Sequence, residues 1–177
     1  MLTFILGGNK SGKSDFALKE LEKCQGRSVF LATGRARDLA FRRQIADHRE
    51  RRDPSIPVIE VGWDLPRVLL AAAGEYDAVL VDSLDFWLYV CSQEQHDREL
   101  TQALLDMLDK GLPARVIMVS CEIGFSPLPA ASEARSFLKK LGRLNQAIAA
   151  RAQEAYLVVA GLPLTLKKAN NGGEQAD

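Results

Sequence analysis

The residues best equipped for chemistry lie near the start of the chain, in "FILGGNKSGKSDFA", residues 4–17. Gly7, Gly12, Lys13 and Ser14 fit the spacing G-x-x-x-x-G-K-[ST]. Glycines there let the backbone close around an anion with successive N–H groups turned inward. A helix beginning near Lys13 adds its positive N-terminal end. Lys13 would reach the β and γ phosphates of a nucleotide, and the Ser14 hydroxyl would ligate Mg²⁺. Eight positions with four fixed can arise by chance, so an ordinary glycine-rich turn is the competing reading. An apolar run before the loop and a helical pattern after it favour a nucleoside triphosphate site.

Two further stretches bear on the same chemistry. "YDAVLVDSLDFW" ends an apolar run in Asp82, the form of a Walker B acid that holds a metal. Asp85, close behind, is either a second acid at that edge or simply the first-turn acid of a helix. From Arg35 to Arg52 the chain reads "RARDLAFRRQIADHRERR", seven arginines against three acids. Arginine grips phosphate oxygens in pairs. His48, inside this run, is a nucleophile that could attack phosphorus while arginines offset the phosphate charge. On composition alone, a solvated helix face carrying a surface histidine is the better reading of that segment. His96, in "SQEQHDRE", reads as surface.

These groups need a scaffold to bring them together. Candidate strands are 2–6, 28–32, 58–61, 78–81, 115–120 and 155–160; candidate helices are 13–23, 38–51, 65–73, 100–109 and 132–153. Several strands are continuous apolar runs, as strands covered on both faces are. Alternation of strand and helix predicts an α/β fold: a three-layer, P-loop NTPase-like domain with a mainly parallel sheet flanked by helices. Residues 1–168 are expected to form a single catalytic domain. The polar, glycine-rich 169–177 is expected to be a disordered tail.

Bulk properties narrow the function classes. The 177 residues are 47% hydrophobic and 26% charged, with zero formal net charge, so no global field favours nucleic acid or a membrane surface. No apolar run approaches the roughly 18 residues of a membrane span. The first residues lack the basic region of a signal peptide. Cys24, Cys91 and Cys121 are an odd set without C-x-x-C spacing, which argues against a disulfide framework or a zinc site. The expectation is a soluble cytoplasmic protein.

Taken together, "GGNKSGKS", "FLAT", "RRQIADHRERR", "VLVDSLDFWL", "VSCEIG", "GRLNQAIAARA" and "YLVVAGLPLTLK" resemble the bifunctional adenosylcobinamide kinase / adenosylcobinamide-phosphate guanylyltransferase family of cobalamin biosynthesis. The resemblance runs from residue 2 to about residue 168, with the pieces in the family's order. It implies two steps. ATP or GTP phosphorylates the aminopropanol hydroxyl of adenosylcobinamide. A histidine then takes GMP from GTP as a phosphoramidate and passes it to adenosylcobinamide phosphate.

The family's guanylylated histidine falls on His48, and Lys13 joins it as a catalytic residue. Nucleotide binding falls on Gly7, Gly8, Asn9, Lys10, Ser11, Gly12, Lys13 and Ser14, with Thr33 and Glu60; the metal set is Ser14 and Asp82. The partners implied are a corrinoid, a nucleoside triphosphate and further copies of the chain, typically in a trimer. No nucleic acid is implied.

Several positions depart from the family pattern: Ala40 stands where a glutamate is usual, Cys121 where an asparagine is, and Lys10 where an arginine is. Ser83-Leu84-Asp85 replaces Cys-Leu-Thr, and Glu60-Val61-Gly62 an acidic pair before proline. A P-loop kinase without guanylyl transfer, or a nucleotide-binding protein that has lost catalysis, therefore stand as alternatives. ATP and GTP are both candidates for the first step, and Glu122 and Asn145 each read as either a nucleotide contact or a capping or core hydrogen-bond residue.

Overall fold

The first strand, β1 (Leu2–Gly7), is buried along its whole length because it lies inside a sheet covered on both faces. The computed structural model describes residues 1–33, 55–124 and 129–168. The expected helix over 38–51 and the polar tail fall outside these residues, as do His48 and Ala40.

The other strands are β2 (Ser28–Ala32), β3 (Val58–Glu60), β4 (Ala78–Asp82), β5 (Arg115–Cys121), β6 (Glu154–Val159) and β7 (Leu162–Lys167). They form one seven-stranded sheet in the order β3-β2-β4-β5-β1-β6-β7, parallel except for the β6–β7 pair. Five helices are described: α1 (Lys13–Glu22), α2 (Leu65–Glu75), α3 (Leu84–Gln93), α4 (Asp97–Lys110) and α5 (Ser132–Arg151). None is long and apolar enough to cross a membrane.

Successive side chains of a strand point to opposite faces, so each inner strand feeds two cores. Phe4 and Leu6 of β1 pack with Leu69 of α2, Trp87 of α3, Leu104 of α4 and Leu144 and Ile148 of α5. Ile5 turns the other way, with Ile117 and Val119, onto Ala17, Leu18 and Leu21 of α1. The three-layer α/β architecture read from the sequence is the one observed.

Two elements were absent from the sequence-based expectation. In α3, Leu84, Trp87, Leu88 and Cys91 are buried at helical spacing, but aromatic and apolar residues on its exposed face mask that period. Its place is fixed in part by Trp87, whose indole N–H donates to the Trp63 carbonyl at 2.7 Å. Strand β7 begins after only two turn residues and carries Pro163, which an edge strand tolerates because one side of its backbone needs no ladder partner.

At the amino-terminal edge of the sheet, Arg115 lies 3.6 Å from both Glu20 of α1 and Glu154 of β6. This ties the end of α1 to the strands and leaves the opposite edge to the glycine-rich loop.

Candidate active site

Parallel strands place all their carboxyl ends at one edge, where open α/β sheets bind ligands. Register fixes which residues share that edge. Gly7 pairs with Cys121 of β5 and Val158 of β6; Ala32 pairs with Glu60 of β3 and Asp82 of β4. The loop from Gly8 to Gly12 leaves β1 there and enters α1 at Lys13.

Gly12 is the N-cap of α1, with φ 90°, ψ 8° and no side-chain cap. A residue with a Cβ strains at that φ, and here the atom would also stand 3.0 Å from the Cα of Gly161. The first-turn N–H groups of α1 are thereby presented at the helix's positive end. Lys13 folds back across the loop, its ammonium donating to the Gly8 carbonyl at 3.3 Å. Asn9 and Lys10 are exposed; Gly8, Ser11, Gly12, Lys13 and Ser14 are half-buried. Lys10 has φ 54°, and the Ser11 hydroxyl is buried with no hydrogen-bond partner among the described residues.

Asp82 is the half-buried last residue of β4, and its peptide bond to Ser83 is cis. The fully buried Thr33 clasps this turn. Its hydroxyl donates to the Ser83 carbonyl at 2.6 Å and accepts from the Ser83 N–H at 2.7 Å. The Thr33 N–H donates to the Asp82 carbonyl at 3.2 Å. Thr33 therefore fixes the strand end that carries Asp82. Glu60 ends β3, exposed, two strands away from Asp82.

Asp85 lies in the first turn of α3, and its Oδ1 accepts from the Cys121 N–H at 3.2 Å, joining that helix to the end of β5. The Cys121 thiol is pushed up in pKa by burial and then by the Asp85 and Glu122 carboxylates, against the pull of Lys13. Asn145 of α5 is buried: its Oδ1 accepts from the Ser120 hydroxyl at 2.7 Å and its Nδ2 donates to the Cys121 carbonyl at 3.1 Å. That is a core hydrogen-bond role. Glu122 accepts from the Gly124 N–H at 2.7 Å, and its own N–H donates to the Gly7 carbonyl at 3.0 Å.

The structure thus brings Gly7 to Ser14, Thr33, Glu60 and Asp82 to one edge of the sheet. His48 and the arginine run lie outside the described residues. Sequence reasoning missed the Ala160–Gly161 turn, which touches the loop; the available signal was a two-residue break between apolar runs in "YLVVAGLPLTL".

Comparison with known proteins gives the fold and the kinship separately. Among solved structures, a KaiC-like protein from Pyrococcus horikoshii superposes with a TM-score of 0.52 at 17% identity, over 88% of this chain and 69% of its own. An ATPase from the type III secretion system of pathogenic bacteria superposes with a TM-score of 0.60 at 9% identity, over 93% of this chain and 56% of its own. These likenesses establish a P-loop NTPase fold.

In sequence, the chain is 37% identical over 171 residues to the bifunctional adenosylcobalamin biosynthesis protein CobP of Pseudomonas aeruginosa, covering 94% of this chain and 98% of the relative. It is 27% identical over 184 residues to the corresponding CobU of Escherichia coli, covering 94% and 100%. The family model for cobinamide kinase / cobinamide phosphate guanyltransferase matches residues 3–166. The chain belongs to the cobinamide kinase / cobinamide phosphate guanyltransferase family.

Proposed function

We propose that this protein is the bifunctional transferase of cobalamin biosynthesis that phosphorylates adenosylcobinamide with ATP or GTP and then joins GMP from GTP to the product. Family membership along almost the whole chain carries the reading. The sheet-edge geometry supports its nucleotide half.

In the kinase step the loop from Gly7 to Ser14 cradles the triphosphate through its backbone N–H groups and the α1 N-terminus. Lys13 exchanges its contact with the Gly8 carbonyl for phosphate oxygens. The substrate hydroxyl oxygen attacks the γ-phosphorus, the bond to the bridging oxygen breaks, and the hydroxyl proton leaves. Charge stabilisation is the main demand of this chemistry. Ser14 and Asp82 both offer hard oxygen donors at this edge, and that set suits Mg²⁺ shared with nucleotide phosphates. When bound, the metal offsets phosphate charge. Thr33 acts by holding the Asp82–Ser83 turn, and Glu60 is the remaining nucleotide-side residue at the edge.

The second step is assigned to His48. Its ring nitrogen attacks the α-phosphorus of GTP, the α–β bridging bond breaks, and pyrophosphate leaves. A phosphate oxygen of the phosphorylated corrinoid then attacks the same phosphorus, the P–N bond breaks, and the imidazole is restored.

The reading includes one cytoplasmic catalytic domain over residues 1–168 that works as a homo-oligomer, a trimer in the family pattern. What supports assembly is β7, at the end of the sheet, with Leu162 73%, Leu164 59% and Leu166 54% exposed.

The test is turnover of adenosylcobinamide with ATP, GTP and Mg²⁺, followed by mass analysis of the corrinoid. Wild type should give first the phosphate and then the GDP form. Lys13→Ala should lose the first step, by about a hundredfold or more. His48→Ala should stop at the phosphate. Failure of wild type to phosphorylate the corrinoid, with nucleotide bound, would contradict the proposal.

A further inference from the structure

Strands β6 and β7 are joined by Ala160 and Gly161 alone, with Val159 paired to Leu162. Both turn residues have positive φ, 51° and 79°, as the right-handed twist of a two-residue hairpin favours. Both are exposed, as hairpin turns usually are. This one nevertheless bonds to the loop of the candidate site: the Gly161 N–H donates to the Ser11 carbonyl at 2.7 Å. The contact is also close in space, since a Cβ on Gly12 would meet the Gly161 Cα at 3.0 Å and its nitrogen at 3.5 Å. The sheet order makes this possible, because β6 runs beside β1 with Val158 opposite Gly7, so its end overhangs the loop.

The consequence follows from peptide planarity. The Ser11 carbonyl and the Gly12 N–H belong to one rigid trans unit and point in opposite directions. Holding the carbonyl against the hairpin aims the Gly12 N–H away from it, and this is one of the donors that a phosphate-cradling loop must present. Gly12 takes φ 90° in that arrangement. Without that bond the Ser11–Gly12 peptide would have a wider range of orientations, since glycine permits positive and negative φ alike, and the donor would be only part of the time in place.

We infer that the Ala160–Gly161 turn is a positioning element for nucleotide binding, which fixes the Ser11–Gly12 peptide through the Gly161 N–H. The inference rests on the reading of this loop as the triphosphate site. Gly161 touches no phosphate in this account; it acts through Ser11.

A Cβ at Gly161 would meet nothing within 4 Å, so only its φ limits substitution there. Asparagine tolerates that φ and keeps the N–H in place, whereas a β-branched residue does not. The experiment is titration of wild type, Gly161→Asn, Gly161→Val and Thr165→Gly with a fluorescent ATP analogue and Mg²⁺, beside their thermal unfolding curves. Thr165→Gly loosens β7 without touching the turn. Gly161→Val should weaken binding about tenfold or more, while Gly161→Asn and Thr165→Gly stay within about twofold of wild type.

A Gly161→Val protein that unfolds at lower temperature but binds as tightly as wild type would overturn the inference. So would Thr165→Gly weakening binding as much as Gly161→Val. Should Gly161→Val not fold, amide exchange on wild type decides instead. The Gly161 N–H should gain about tenfold protection or more on nucleotide binding, and no gain would overturn the inference. Wild type that binds no nucleotide would overturn the site reading along with it, whereas wild type and Gly161→Val binding alike overturns only the positioning role.

Discussion

Thr33 shows what a single side chain can do from a distance in sequence. Its hydroxyl is fully buried and holds both the N–H and the carbonyl of Ser83, fifty positions away. Thr33→Val keeps the shape and removes both bonds, leaving buried backbone groups unpaired. It should cost about 1–3 kcal/mol of stability, read as a lower denaturant midpoint with an unchanged slope. An unchanged midpoint would mean that the Asp82–Ser83 turn holds itself. Thr33 entered the candidate site only through family resemblance, because its partner is distant in sequence. Lys13 and Ser14 were legible directly, since strand, turn and helix are contiguous there and the spacing itself is the chemistry. Asn145 gave no decisive local signal: its bonds to Ser120 and Cys121 exist only once α5 packs beneath β5.

Among the elements, those with an unbroken apolar run or a clear stripe were read to within a few residues. In α5, Leu141, Leu144 and Ile148 are buried on one face, as their spacing required. The edge strand β7 was missed for a physical reason: no face of it is buried in the monomer, so packing leaves little pattern to read beyond alternating leucines. That alternation is itself a prediction. Leu162, Leu164 and Leu166 together make an apolar edge of the kind proteins cover or charge. If this edge is the contact between copies, sedimentation should find wild type as an oligomer and Leu164→Lys as a folded monomer. An oligomer that survives the lysine places the contact elsewhere.

At the level of the whole molecule, alternation of strand and helix predicts a parallel sheet but not the order of its strands. That β5 separates the loop strand from the Asp82 strand depends on crossovers that no local pattern records. The place of the candidate site at the carboxyl edge follows from parallelism alone, so it was legible without the order. The proposed function requires that edge to work with His48, which the arginine-rich run carries, so that one chain completes both half-reactions. The most direct measurement is the intact mass of the protein after incubation with GTP and Mg²⁺, for wild type and His48→Ala. Wild type should gain one acid-labile guanylyl group and the variant none. Wild type that binds GTP yet gains no mass, or a variant that gains the same group, would contradict it.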